Sequence, residues 1–253
     1  MKIFVLLLAV ILLSGVVLAQ VKKPSPPPAK IPYSRSLQAV VVTTPNWSSV
    51  PGTARLFERK TVKSKWKQVG DSFPIVVGRN GLGPDREFTE LKGEAVKREG
   101  DGKSPAGLFP LTFAFGSATD PAKTALPYTK LDEFTECVDD VKSSHYNAVV
   151  NRMQVGNFDW NSSEKMLAVG AQYERGIFVG YNSYPPVHGN GSCIFLHIWK
   201  DATTGTSGCT AMERPNLEKI LTWLKPEKNP YLIQLPEAIY LAQQKQWNLP
   251  TIK

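Results

Sequence analysis

The sequence predicts a mainly β, sandwich-like domain that ends in two helices. Short segments with the alternation of strands, separated by turns containing proline, glycine or asparagine, account for much of the chain. Apolar residues at helical spacing occur only near the C-terminus. The hydrophobic fraction of 42% and the charged fraction of 21% are those of an ordinary globular protein with an adequate core. Many strands followed by two late helices favour a two-layer β architecture.

The N-terminus has the pattern of a secretory signal. A short basic start, Met1-Lys2, precedes an apolar run over 3–13, and small residues lead up to Ala19. We therefore expect a signal peptide over 1–19 and an exported protein of the periplasm or cell envelope. A retained N-terminal anchor is the alternative, although the unbroken run is shorter than the ~20 residues that span a bilayer comfortably.

Residues 20–36 are predicted to form a linker between this signal and a single domain over 37–253. Five prolines fall between positions 24 and 32, which makes the segment stiff and extended and gives it nothing to bury.

The predicted strands and helices follow in order along the domain. Strands are expected over 39–44, 53–59, 65–77, 108–115, 146–152, 176–181, 192–200 and 231–235. Leu217, Ile220, Leu221 and Leu224 recur at helical spacing behind Pro215, and a terminal helix is predicted over 236–247.

Two polar segments between the strands have compositions that bear on function. The loop over 81–103 ends in Gly-Lys-Ser, but a phosphate-binding loop needs glycine at position 97, where Lys97 stands. The segment 159–164 has the composition to line a substrate groove, whereas a turn with a buried tryptophan is the commoner role of such a segment.

The net charge of +8 and the isoelectric point of about 9.3 favour an anionic environment. No basic-aromatic motif of a nucleic-acid-binding module is present, so nucleic acid is not expected as a partner. Anionic polymers of a cell wall fit an exported protein better.

The stretch from Ser192 to Met212 is the strongest candidate for a catalytic site. Alternation places Ile194, Leu196 and Ile198 on one face, and Cys193, Phe195, His197 and Trp199 on the other. A glycine-rich turn over 205–208 follows and leads directly into Cys209. A thiol beside backbone N–H groups, with an imidazole on a nearby strand, is the arrangement of a cysteine nucleophile, its base and an oxyanion site.

Three motifs occur in a fixed order. Residues 72–79 form an apolar strand ending in Gly-Arg, residues 101–109 read DGKSPAGLF, and residues 206–209 read TSGC downstream of His197. Together they resemble the L,D-transpeptidase catalytic-domain family, the cysteine enzymes that remodel bacterial peptidoglycan. The resemblance runs from about Leu37 to the C-terminus. The chain departs from the common family pattern at Ile198, where glycine usually follows the histidine, and at Ala211, where arginine is usual.

The resemblance implies acyl transfer on peptidoglycan stem peptides without a cofactor. Cys209 is then the nucleophile and His197 its base, and the N–H groups of Gly208 and Cys209 are candidate oxyanion donors. Thr206 and Ser207 would shape the turn, and Trp199 and His188 are candidate contacts to the substrate. Hydrolysis of the same substrate and non-catalytic binding of the cell wall are the alternative functions.

Three cysteines in an exported chain suggest one disulfide and one free thiol. The pairing Cys137–Cys193 leaves Cys209 free, whereas each of the two other pairings would block or replace it. A zinc site built from His188, Cys193, His197 and Cys209 is a further alternative. Strand geometry argues against it, because Cys193 and His197 would lie ~13 Å apart on one extended strand. No metal site is therefore predicted.

Overall fold

The computed structural model describes residues 32–88, 95–118 and 123–252. Two α-helices lie in these ranges, α1 (Arg214–Trp223) and α2 (Glu237–Gln243). The strands of the same ranges are β1 (Gln38–Thr44), β2 (Pro51–Glu58), β3 (Lys67–Gln68), β4 (Phe73–Val76), β5 (Leu82–Pro84), β6 (Ser104–Gly116), β7 (Tyr128–Lys130), β8 (Thr135–Val138), β9 (Val149–Asn151), β10 (Ser163–Lys165), β11 (Gly176–Val179), β12 (Phe195–Ile198), β13 (Thr210–Met212) and β14 (Tyr231–Pro236). The prediction of a mainly β fold with two C-terminal helices is confirmed.

The larger sheet closes on itself. Its strands run in the order β1-β14-β6-β11-β12-β13-β4-β2, and β2 also pairs with β1. The short strand β3 pairs with β2, and β5 and β7 pair with β6. Closure leaves no free edge along this path, so the inward-facing side chains of all eight strands share one core.

The main core packs against both faces of this closed sheet, because consecutive residues of β1 belong to it. Every residue of β1 is buried, and α1 packs Leu217, Ile220 and Leu221 against the core. As predicted, proline stands in the first turn of α1, where its missing N–H costs no helical hydrogen bond. The side chains of Ile194, Leu196 and Ile198 all point into this core.

A second core lies on the other face of β12. It brings together Phe195, Cys193 and Cys209 with Phe115 and Tyr173. Above it sits a small three-stranded sheet, β10-β8-β9, followed by a 3₁₀ segment over Met166–Tyr173. The two-faced alternation predicted for residues 193–198 is confirmed, and it separates the main core from the second core.

Four predicted elements are wrong in extent. The strand predicted over 146–152 is reduced to Val149–Asn151, and Asn147 before it has a left-handed φ of +62°. The strand predicted over 65–77 is divided into β3 and β4, because Gly70 has a left-handed φ of +67° that a continuous strand cannot contain. The strand predicted over 192–200 is shortened to Phe195–Ile198, preceded by Cys193 at φ +55°. The terminal helix ends at Gln243 rather than 247, and the chain then turns so that Leu249 enters the main core.

The N-terminal boundary of the folded part precedes residue 37. Residues 33–36, which were assigned to the linker, pack on the domain: Arg59 donates to the carbonyl oxygens of Ser34 and Ser36, and Ser36 is buried. The predicted signal peptide over 1–19 and most of the predicted linker lie outside the described residues. Within the described ranges, no helix has the length and hydropathy required to cross a membrane.

The predicted disulfide is present. Cys137 in β8 is bonded to Cys193, with Cα atoms 5.9 Å apart, and Cys209 is a free, buried thiol. The two other pairings that the cysteine count allowed are therefore wrong. The bridge ties the small sheet to the residues that lead into β12.

We predict that removing this bridge destabilises the protein. The cysteines are 56 residues apart, and a loop of that length implies about 4 kcal/mol of stabilisation on the chain-entropy account. A Cys137→Ala/Cys193→Ala double variant should show a loss of this order in denaturant unfolding. Thiol titration of the denatured, unreduced wild type should find one thiol, and a count of three would contradict the bridge.

Candidate active site

Cys209 lies at the N-terminal end of β13, directly beside β12. The two strands are parallel neighbours, with Leu196 opposite Thr210 and His197 opposite Ala211. The Phe195 N–H donates to the Cys209 Sγ over 3.3 Å, and this bond holds the thiol against β12. Partners in a ladder project to the same face of a sheet, and so do residues two positions apart on one strand. Cys209 lies two residues before Ala211, so it shares with His197 the face that carries the second core.

The turn before Cys209 is fixed by two hydroxyl groups. Ser104 Oγ and Thr206 Oγ1 donate to the Cys209 carbonyl oxygen at 2.7 Å and 2.6 Å. Ser104 Oγ also accepts from the Gly78 N–H at 2.8 Å. Gly78 has no space for a side chain, since an added Cβ would lie 2.3 Å from the Gly102 carbonyl oxygen. The three motifs of the sequence thus meet at this turn.

The predicted oxyanion donors have different surroundings. The Gly208 N–H donates to Thr206 Oγ1 at 3.1 Å, so it is already engaged within the turn. Ser207 Oγ accepts from the Arg79 guanidinium at 3.2 Å and lines the cavity described below. The oxyanion role of the Gly208 and Cys209 N–H groups stays a prediction, and Thr206 has the turn-shaping position expected of it.

His197 is buried and held in one tautomer. Its Nδ1 lies 2.8 Å from the Ile198 carbonyl oxygen, which can only accept, so Nδ1 carries the proton and Nε2 is left as a proton acceptor. Burial lowers the pKa of His197 to about 4, and the hydrogen bond to Ile198 opposes this shift. The imidazole is therefore neutral at pH 7. The residue at the first departure from the family pattern, Ile198, provides this orienting carbonyl.

The Cys209 thiol is also neutral. Burial, reinforced by the charge of Glu164, raises its pKa to about 12. The hydrogen bond from the Phe195 N–H, the nearby Tyr173 phenol and the charge of Lys97 lower this pKa and so act in the opposite direction. The resting site is a thiol with an uncharged imidazole rather than an ion pair.

Tyr173 and Glu164 belong to the site although the sequence analysis did not assign them a role. Both residues line the same cavity as Cys209, and the Tyr173 ring packs edge-on against His197 at 5.3 Å between centroids. Glu164 falls in the segment 159–164, whose composition suits the wall of a substrate groove. Tyr173 ends the 3₁₀ segment and stands in no recognisable motif.

These residues line one cavity of about 480 Å³. Its lining includes Cys209, His197 and Ala211 together with the turn over 204–208. The charged residues of its walls are of both signs: Arg79, Lys97 and Lys200, and Glu99, Asp139 and Glu164. The cavity is therefore suited to a polar substrate that carries both charges.

Trp199 and His188 lie outside the residues that line this cavity. Trp199 is half-buried just after the end of β12, and its backbone N–H donates to the Met212 carbonyl oxygen at 2.8 Å. His188 is exposed, packs on the Tyr146 ring and contacts the Val141 carbonyl oxygen over 2.5 Å. Their contact with substrate stays a prediction.

The zinc alternative loses one of its four ligands, because Cys193 is held in the disulfide. Across the described ranges, no group of three or more histidine, cysteine, aspartate or glutamate side chains is placed to hold a metal ion.

The L,D-transpeptidase catalytic-domain family model matches residues 54–233. The chain belongs to this family. The match extends from β2 to the middle of β14, so it includes all three motifs, the small sheet and the cavity. The search of curated proteins and the search of solved structures each found no match.

Membership of the L,D-transpeptidase family defines the class of chemistry and substrate. Enzymes of this type act on peptidoglycan stem peptides, and the chain is an L,D-transpeptidase-type protein on this ground. Ala211, the second departure from the common family pattern, lines the cavity.

We predict that His197 makes the stability of this protein depend on pH between about 4 and 6.5. Its pKa is depressed in the folded state, so the unfolded chain binds a proton in this range while the folded protein does not. Stability should therefore fall as the pH drops from 6.5 to 4, by about 3 kcal/mol from this residue.

The measurement is denaturant unfolding of wild type and His197→Gln at pH 7 and pH 4. The loss of stability between the two pH values should be smaller in the variant by this amount. His188→Gln, which alters an exposed histidine, should retain the wild-type loss. Equal losses in all three proteins would show that His197 is not buried in its neutral form.

Proposed function

We propose that the protein is an exported L,D-transpeptidase that forms a thioester at Cys209. The observation that carries this proposal is the placement of Cys209 and His197 on one face of neighbouring parallel strands, in the lining of one polar cavity. A free thiol and a proton-accepting imidazole within one cavity are the two groups that a cysteine acyltransferase requires.

The reaction proceeds by two acyl transfers. Cys209 attacks the carbonyl carbon of the L-centre residue in an L–D peptide bond, the C–N bond breaks, and the D-amino acid leaves with the proton given up by the thiol. The amine of a second stem peptide then attacks the thioester, loses a proton, and restores the thiol. His197 is the general base, since its Nε2 is unprotonated and Nδ1 is anchored on Ile198.

Transfer to an amine fits the cavity better than hydrolysis. Glu99, Asp139 and Glu164 line its walls, and the buried Oδ1 of Asp139 has no hydrogen-bond partner within the described ranges. A buried carboxylate oxygen without a donor is costly, and an amine-bearing acceptor would supply one. Carboxypeptidase activity and non-catalytic wall binding are the competing functions.

Export to the periplasm or cell envelope is part of this proposal. The signal-like residues 1–19, the proline-rich residues that follow and the disulfide all fit an oxidising compartment that contains peptidoglycan. The net charge of +8 fits a protein that works among anionic cell-wall polymers.

We predict that Cys209→Ala abolishes turnover of muropeptides and changes stability by no more than about 1 kcal/mol, because it truncates one small buried side chain. His197→Ala should lower turnover by a factor of about 10² to 10⁴, the usual contribution of a general base. It should still allow slow acylation by an activated β-lactam such as a carbapenem.

Intact-protein mass spectrometry after incubation with a carbapenem reads out the acyl adduct. Wild type should gain one adduct, located on Cys209, and Cys209→Ala should gain none. A Cys209→Ala protein that retains turnover would refute the proposed nucleophile. The wall-binding function would be established instead by two results together: wild type shows no turnover, and Cys209→Ala binds peptidoglycan as well as wild type does.

A separate prediction concerns the acceptor. Incubation with tetrapeptide muropeptides and an excess of a D-amino acid should yield exchanged stems and cross-linked dimers, analysed by liquid chromatography and mass spectrometry. Shortened stems alone, without exchange or cross-link, would show that water is the acceptor and that the enzyme is a carboxypeptidase.

A further inference from the structure

In the resting site the proton of the Cys209 thiol is directed at a backbone carbonyl. The Cys209 Sγ donates to the Cys193 carbonyl oxygen at 3.5 Å, and among the described residues no hydrogen bond joins this thiol to His197. A carbonyl oxygen accepts a hydrogen bond but does not take the proton away. The thiol must therefore turn from Cys193 to His197 before its proton can be transferred.

Cys193 presents this carbonyl oxygen from an unusual backbone conformation. Its φ is +55°, in the left-handed region, which a residue with a β-carbon adopts only at a cost in free energy. From the next residue onward the chain is held by β11. The Ile194 carbonyl oxygen accepts from the Val179 N–H at 2.9 Å, and Phe195 pairs with Phe178. The backbone of Cys193, which precedes these pairs, is held by other contacts.

Asn147 makes the backbone contact to Cys193. The Asn147 side chain is buried, and its Oδ1 accepts from the Cys193 N–H at 2.9 Å. Its Nδ2 donates to the carbonyl oxygens of Tyr181 and Asn182 at 2.9 Å and 2.7 Å. Two carbonyl oxygens on one side of the amide fix its orientation, so that the amide oxygen faces Cys193.

Both groups that hold Cys193 come from one part of the small sheet. Asn147 lies in the connection between β8 and β9, and its backbone N–H donates to the Val138 carbonyl oxygen at 2.8 Å. Cys137, the residue before Val138, is the disulfide partner of Cys193. The bridge therefore holds the side chain of Cys193, and Asn147 holds its backbone.

We propose that Asn147 is a positioning residue that keeps Cys193 in the left-handed conformation, in which the Cys193 carbonyl oxygen accepts the hydrogen bond of the resting Cys209 thiol. The small sheet thereby keeps the thiol protonated until a substrate enters the cavity and the proton passes to His197. This inference rests on Cys209 being the nucleophile of the proposed function.

Loss of the Asn147 side chain has a definite effect on the thiol. Cys193 would relax to an extended conformation, which reorients the peptide group that it shares with Ile194. The Phe195 N–H would remain on the sulfur, because β11 holds this strand. The sulfur then keeps the donor that favours the thiolate and loses the acceptor that favours the thiol, so the thiolate forms more readily.

The test is the S–H stretching band in the Raman spectrum. The chain has three cysteines and two are bridged, so wild type has a single S–H group, that of Cys209. A hydrogen bond donated by a thiol lowers the frequency of this band. Asn147→Gly removes the side chain and keeps the left-handed φ of +62° without strain. Its band should lie at higher frequency than that of wild type, and an unshifted band would overturn the proposal.

Asn182→Gly is the matched control. Asn182 also has a left-handed φ, +49°, and its side chain fastens the same loop by donating to the Val187 and Gly191 carbonyl oxygens. No hydrogen bond from its side chain to Cys193 is found in the described part of the chain. The S–H band of Asn182→Gly should equal that of wild type. Equal shifts in the two variants, with equal losses of melting temperature, would show general loosening of the loop and overturn the proposal.

His197→Gln provides a test that does not depend on the folding of Asn147→Gly. The resting thiol is bonded to Cys193 rather than to His197, so the S–H band of His197→Gln should stay at the wild-type frequency. A shifted band would show that the thiol donates to the imidazole at rest, and the proposal would be wrong.

The rate of Cys209 alkylation by iodoacetamide, followed by intact mass, measures the effect on reactivity. Asn147→Gly should react about 2- to 10-fold faster than wild type at pH 7, the ratio expected when one modest hydrogen bond to the neutral form is lost. Asn182→Gly should react as wild type does. Both variants retain the titratable groups that face the thiol from the elements packed around it, which are Lys97 before β6, Glu164 of β10, Tyr173 of the 3₁₀ segment and His197 of β12.

Turnover of muropeptides separates this inference from the proposed function. If the S–H band and the alkylation rate respond as expected but wild type has no turnover, the proposed function fails and the positioning role of Asn147 stands. If turnover is normal and Asn147→Gly equals wild type in both measurements, only the positioning role fails.

Discussion

The carbonyl oxygen of Cys209 accepts hydrogen bonds from both Ser104 and Thr206, and the geometry of the site depends on this convergence. Ser104 is the first residue of β6, so the longest strand of the sheet is tied to the turn that presents the thiol. A buried carbonyl left without donors would be costly. The turn before Cys209 is therefore stable only when the segments that carry the three motifs are packed together. Placement of the nucleophile is thus a property of the closed sheet rather than of its own turn.

Burial on this face gives the site its chemical character. The thiol and the imidazole are both neutral in the resting enzyme, because neither is exposed enough to keep a charge without a partner. Such a site resists unwanted reaction of the thiol with small electrophiles, since only the thiolate is a strong nucleophile. Activation then requires a proton to move as the substrate is attacked, and the surrounding acceptors decide how readily this happens.

Sequence periodicity was a good guide wherever the structure depends on local pattern. The alternation over 193–198 correctly assigned Ile194 to the main core and Phe195 to the opposite face, and the helix behind Pro215 lies where it was expected. It failed where a single backbone conformation interrupts the pattern, as Gly70 does between β3 and β4. A positive φ at one glycine leaves no trace in the hydrophobic period, so one long strand was predicted where two exist.

Tyr173 and Glu164 escaped detection for a different reason. They are 36 and 45 residues from Cys209 in the sequence, and no local spacing connects them to it. The cysteine count, however, contained part of the answer: a bond from Cys137 to Cys193 brings the chain around Cys137 to the entrance of β12, four residues before His197. What the count could not supply was the pairing of β10 with β8, a contact between segments 27 residues apart whose register depends on packing over the second core. That register places Glu164 opposite Cys137, and through it the small sheet becomes a wall of the active site rather than an appendage to the fold.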